Sequence, residues 1–159
     1  MDVLHFLKEE YSAIRQLAAG IVPGDLAPAM SGQEMTRFMA SLELAVRVGN
    51  DLILPELTDA GHGSSSVAIL GEDQAKSLGR IIASFKKSGE IAEAKLQDLY
   101  RRTLQHLDHM EKAVLPLVRD VVSTPVREDI GEIALDYRTE LTVSVEKSRD
   151  TRASASISA

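Results

Sequence analysis

Residues 99–118, LYRRTLQHLDHMEKAVLPLV, decide how the rest of the chain reads. The apolar positions are Leu99, Tyr100, Leu104, Leu107, Met110, Ala113, Val114, Leu117 and Val118. Recurrence every three or four residues marks an amphipathic helix with one buried stripe. Leu99, Thr103, His106, Met110 and Ala113 step along that face, so His106 points into a helical bundle. His109 steps instead with Arg102, Gln105 and Lys112, the face expected to meet water. Pro116 stands near the end of the helix.

Four further segments carry the same period. Residues 2–19 form a first helix with Asp2 as N-cap and a stripe of Val3, Leu7, Ile14, Leu17 and Ile21, widened by Leu4, Tyr11 and Ala18. Tyr11 lies beside the stripe; its ring belongs to the core and its hydroxyl then needs a partner. His5 steps with Lys8, Glu9 and Ser12 and is expected at the surface. A loop, GIVPGDLAPAM, is punctuated by Gly20, Pro23, Gly24 and Pro28. Ser31 and Glu34 then make a capping box for a second helix over about 32–57. Its stripe is Met35, Phe38, Leu42, Ala45, Gly49, Leu52 and Ile53, and Pro55 marks its last turn. Glycine in mid-helix costs roughly 1 kcal/mol relative to alanine, so a glycine on the buried face suggests that space is wanted there.

The connection TDAGHGSSSVAILG holds His62 between glycines and serines, which is loop chemistry. A third helix is expected over about 72–87, burying Leu78, Ile81, Ile82 and Phe85, with Gln74 one turn before Leu78. The helix of residues 99–118 starts near Glu90. Thr124 as N-cap and Pro125 as first helical residue open a fifth, with Ile130, Ile133, Ala134, Tyr137 and Leu141 on its buried side. No segment alternates with the period of a strand. The fold class expected is all-α: an up-down four-helix bundle with an additional C-terminal helix, residues 1–149, followed by a flexible Ser/Ala-rich tail, 150–159. An internal repeat supports two similar hairpins: Pro55 in LILPEL and Pro116 in AVLPLV are 61 positions apart, an offset that pairs Ala45 with His106 and Gly49 with Met110.

Composition narrows the function classes. The chain has 159 residues, 24 acidic against 18 basic side chains and a formal net charge of −6, which disfavours nucleic acid and anionic membranes as partners. With no cysteine, disulfides, thiolate metal sites and thiol catalysis are excluded. The first residues carry no basic leader, and no run approaches the ~18 apolar residues of a membrane span. A cytoplasmic protein is therefore the expectation. The partner left open is a small molecule or another protein.

His106, Met110, Glu111, Leu115 and Pro116, together with the segment LKEEY at residues 7–11, resemble the hemerythrin-like, HHE cation-binding family. In that family a helix carries His-x-x-x-Glu and a proline ten residues after the histidine. The resemblance implies a bundle in which five histidines and two carboxylates hold two irons, since iron that meets dioxygen takes imidazole nitrogens and bridging carboxylates. Here Tyr11 stands at the first-helix histidine, Ala45 and Gly49 at the second-helix pair, Gln74 in GEDQ at the third-helix histidine, and His106 with Met110 at the fourth-helix pair. Only His106 keeps a ligand type.

Three functional classes follow. The first is a bundle that has lost the diiron site and acts as a non-catalytic small-ligand-binding or regulatory module, with a cavity formed by Tyr11, Ala45, Gly49, Gln74, His106 and Met110, and with no cofactor. The second is a residual iron or heme protein anchored on His106, helped by Glu10, Tyr11 or Glu111, because tyrosine and histidine both ligate ferric iron. The third is an enzyme using His106 as general base; no nucleophile or acid pair stands in a recognisable arrangement beside it.

Overall fold

The computed structural model describes residues 1–20 and 32–157; Ile21, most of the first loop and the Ser31 half of the capping box lie outside them. Among the described residues the chain is helical throughout, with no strand. The elements are α1 (Val3–Ala18), α2 (Gly32–Val48), a π-helical turn (Gly49–Ile53), α3 (Leu54–Asp59), α4 (Ser66–Ser88), α5 (Glu93–His109), a second π-helical turn (Met110–Val114), α6 (Leu115–Val121) and α7 (Thr124–Ile157). Each π turn joins its neighbours without a break, so the described residues make five continuous helical runs.

Local chemistry sets the boundaries. The Asp2 carboxylate accepts from the Leu4 N–H at 2.8 Å and caps α1. Ser65 caps α4 in the same way, its hydroxyl accepting from the Ala68 N–H at 3.2 Å. That helix therefore starts six residues before the expected position near 72. The serines expected in a loop supply the cap, and Val67 and Ala68 already belong to the first turn. Gly89, at φ +74°, ends α4 by sending its N–H to the Phe85 carbonyl at 2.7 Å. The last helix opens at Thr124, and the Arg127 N–H reaches the Ser123 carbonyl, which puts Ser123 rather than Thr124 in the cap position. It continues to Ile157, past the point where the sequence predicts a tail, because DTRASASI holds neither glycine nor proline to stop it.

The two π turns begin at Gly49 and Met110, the pair matched by the 61-residue offset, and each is followed by Leu-Pro. The Leu54 N–H reaches back to Gly49 and the Leu115 N–H to Met110, five residues in both cases. Proline has no N–H to give, and its ring collides with the carbonyl four residues back. One widened turn before each proline carries the helix past that collision.

Packing follows the stripes, with departures on α1, α2 and α7. Helix α2 meets α1, α4 and α7, and accordingly buries Phe38, Met39, Leu42, Leu44, Ala45, Val46 and Val48, more than one face. Phe6 is fully buried although it lies off the expected α1 stripe. It is covered because α7 packs on that side of α1: the Arg138 guanidinium lies 4.4 Å from the Phe6 ring centroid and donates to Glu10 at 2.6 Å. Arg127 donates to Asp2 at 2.9 Å, and Arg47 of α2 stacks over Tyr137 at 4.8 Å. Gly131 lets α7 approach the chain start, since a Cβ there would fall 1.7 Å from the Met1 carbonyl oxygen. Ile133, expected in the core, is 43% exposed, one residue before the buried Ala134. No helix of the described residues is long and apolar enough to cross a membrane.

Candidate functional site

Helix α5 positions His106 as its stripe requires: the imidazole is 3% exposed. Its Nδ1 lies 3.0 Å from Oε1 of Gln74, on α4. An amide oxygen only accepts, so Nδ1 carries the proton and Nε2 keeps a lone pair. Burial, and then the charge of His109, push the His106 pKa down to about 4, so the ring is neutral at pH 7.

His109 is not on a wet face. It is half-buried, and its Nε2–H donates to the Val67 carbonyl at 2.8 Å. The early start of α4 brings that carbonyl over α5. The ring packs beside Gly71, where a Cβ would make ordinary contacts, 3.8 Å to His109 Nε2 and 3.6 Å to a Val114 methyl. The two histidines thus join α5 to α4 at two levels, through Gln74 and through Val67. His5, as expected, is exposed, 3.1 Å from Glu9.

On the other side α5 meets α1. Tyr11 is 1% exposed and its hydroxyl has no protein partner. Burial raises its pKa far above the ordinary phenol value; the Glu111 carboxylate adds to the rise and Arg15 opposes it. Arg15 lies one turn beyond Tyr11 on the same face of α1 and bridges Glu111 and Asp108, with 2.9 Å to Asp108. Thr103, one turn before His106, is likewise fully buried with its hydroxyl unpaired.

The remaining candidates lie at the π turns. Ala45 is buried one turn before Gly49, and the terminal methyl of Met110 would lie 3.4 Å from a Cβ at Gly49. The methionine methyl thus packs beside the glycine, in contact distance of the place a Cβ would take. Of the six residues expected around a cavity, the structure joins Gln74 to His106 and Gly49 to Met110. It sets Tyr11 beside the Arg15–Glu111 ion pair. A separate cleft of about 300 Å³ opens at the α6–α7 corner, between Glu56 and Asp59 on one wall and Val121, Val122 and Val126 on the other.

The carboxylates that could assist a metal on His106 are engaged elsewhere: Glu10 with Arg138, Glu111 with Arg15. Among the described residues no three His, Asp or Glu side chains are grouped as a metal ion would require. Sequence reasoning missed both arginines. The available signal was spacing: Arg15 follows Tyr11 by four residues, and a cation at the edge of a buried stripe next to an acidic neighbour helix is placed to pair. Compared with protein-family models, with curated proteins and with solved structures, the chain matches none.

Proposed function

We propose that this chain is an up-down four-helix bundle of hemerythrin-like layout, closed by α7, which has lost the diiron site and serves as a non-catalytic module for a small ligand or for regulation. The observation that carries the reading is the chemistry of the interior. The inward groups at the positions of the family's ligands are neutral: Tyr11, Ala45, Gly49, Gln74, His106 and Met110. Each nearby carboxylate is tied to an arginine. An iron pair needs a concentration of anionic and imidazole donors to hold it against competing sites. Neutral donors and acceptors among apolar side chains suit an uncharged ligand instead, and bundle interiors are a usual place for one. The repeated π turns support descent of both hairpins from one plan.

A residual iron or heme site on His106 has less support, because Glu10 and Glu111 would first have to leave Arg138 and Arg15. The reading is tested by methyl NMR of the protein labelled at methionine, titrated with a panel of small neutral molecules. The Met110 methyl, packed at Gly49, is expected to shift while the exposed Met1 methyl stays still. Shifts confined to surface methyls, or none with any compound, would count against an interior ligand.

A further inference from the structure

We infer that the cleft at the α6–α7 corner is a binding site for a small organic cation, an ammonium carried on a short branched apolar body. The site stands apart from any ligand in the interior and rests on different residues. Its walls differ in kind: Glu56 and Asp59 of α3 stand on one side, Val121, Val122 and Val126 on the other, and the space between them is about 300 Å³. That volume is at the lower end of ligand pockets, so the guest is small.

The internal repeat builds the place. The offset that pairs Gly49 with Met110 also pairs Ala60 with Val121, and both residues line the cleft. The helical run that ends at Asp59 and the run that ends at Val121 therefore finish side by side. A helix C-terminus carries partial negative charge on its free carbonyls. Two such ends meet here, and Glu56 and Asp59 add two carboxylates to the last turn of the first. Anions in that position are unfavourable unless a cation answers them. Elsewhere on the bundle they are answered: Glu10 by Arg138, Glu43 by Lys86, Glu111 by Arg15. The side chains of Glu56 and Asp59 have no ion-pair or hydrogen-bond partner among the described residues. Arg127, next to the valine wall, is engaged elsewhere, with Asp2 at 2.9 Å, the Thr124 hydroxyl at 3.1 Å and the Val122 carbonyl at 2.8 Å. The last of these bonds also fixes the apolar wall, so the cleft is formed before a guest arrives. The valines decide the kind of cation. A hard metal ion takes six or more oxygen ligands, and an apolar wall supplies none. A branched alkyl group covers that wall, while its ammonium donates to the two carboxylates.

The test titrates 3-methylbutylammonium into the full chain, followed by NMR of labelled valine and methionine methyls. The expected result is saturable shifts at Val121, Val122 and Val126 while the Met110 methyl stays still. 3-Methylbutanol, the same body without the charge, and methylammonium, the charge without the body, should each bind about fivefold more weakly. The double variant Glu56→Gln with Asp59→Asn alters no buried side chain and keeps the fold, which circular dichroism checks. It should bring the affinity of the ammonium down to that of the alcohol and leave the alcohol unaffected. Added salt should weaken the ammonium alone. Methylammonium that binds as tightly as the longer amine would show a general attraction of cations to an acidic surface and overturn the site. Ammonium binding indifferent to the double variant, or no saturable shift at the valines, would overturn it as well. Calcium that shifts the same methyls at equal concentration would overturn the organic guest in favour of a metal ion. Shifts at Met110 with none at the valines would overturn the cleft and leave the interior reading standing. Valine shifts with the ammonium, and a Met110 methyl silent to every neutral compound, would support the cleft and remove the interior reading.

Discussion

The two π turns share one backbone device and differ in what they place inside. Gly49 opens the first with no side chain; Met110 opens the second with a long flexible one, and the methionine methyl packs beside the glycine. In a site built symmetrically for two metal ions, equivalent positions would carry equivalent ligands. Here equivalent positions are complementary in volume. The difference shows how a core can be closed without changing its helices. One hairpin supplies the space and the other the filling, and methionine, unbranched and polarizable, adapts to an irregular gap.

Breaking the filling half should have the largest effect. Met110→Ala deletes a side chain that is 2% exposed and leaves the space at Gly49 empty; the expected cost is about 2–5 kcal/mol in chemical denaturation. A loss under half a kcal/mol would mean that Met110 does not fill that space. Acid should come next, through the histidine one turn from Met110. His106 is neutral in the folded protein down to about pH 4, whereas the unfolded chain binds that proton near 6.5. Its depressed folded pKa means that the neutral form's contribution is complete above about pH 6.5 and is lost progressively as pH falls toward 4. The loss is about 3 kcal/mol, and a His106→Leu variant should lack that part of the acid slope when stability is followed against pH.

On the outer side of the same helix, His109→Ala removes a bond to the Val67 carbonyl and should cost about 0.5–1.5 kcal/mol by denaturant titration. A silent substitution would return His109 to the solvent face. The smallest effect belongs to the open half of the pair. Gly49→Ala brings a Cβ to 3.4 Å from the Met110 methyl, the end of a flexible side chain. The helix propensity gained, roughly 1 kcal/mol, offsets that contact, and the melting temperature should stay within a few degrees. Combined with Met110→Ala, the same substitution should be more favourable than alone, since the added methyl then faces empty space; strict additivity would show that the two turns do not share a gap.

Helical content, the burial of Tyr11, His106 and Met110 and the 61-residue repeat were legible in the sequence, because each follows from apolar period or proline position; the cost of a mid-helix glycine was a poorer guide, since a Cβ at Gly49 would make only an ordinary contact with the Met110 methyl. The Gln74–His106 bond was foreshadowed by the shared inward phase of both residues. Other features were not legible, for identifiable reasons. Phase on one helix cannot reveal what a neighbour covers, so Phe6 under α7 and His109 under the first turn of α4 read as outside the stripe. The cap at Ser65 was obscured by three serines in a row. The engagement of Glu10 and Glu111 depends on arginines 128 and 96 residues away in the chain, Arg138 and Arg15. No spacing rule connects such distant partners.

The central claim is that the interior holds no iron pair, and the most direct measurement is elemental analysis of protein expressed with added iron and desalted, read beside its near-ultraviolet spectrum. The account predicts a folded, colourless protein without stoichiometric iron, and no recovery of metal on Met110→Glu alone, because one added carboxylate beside Tyr11, Ala45, Gly49 and Gln74 does not supply the several donors an iron pair needs. Two irons per chain with an oxo-bridged absorption band would contradict it.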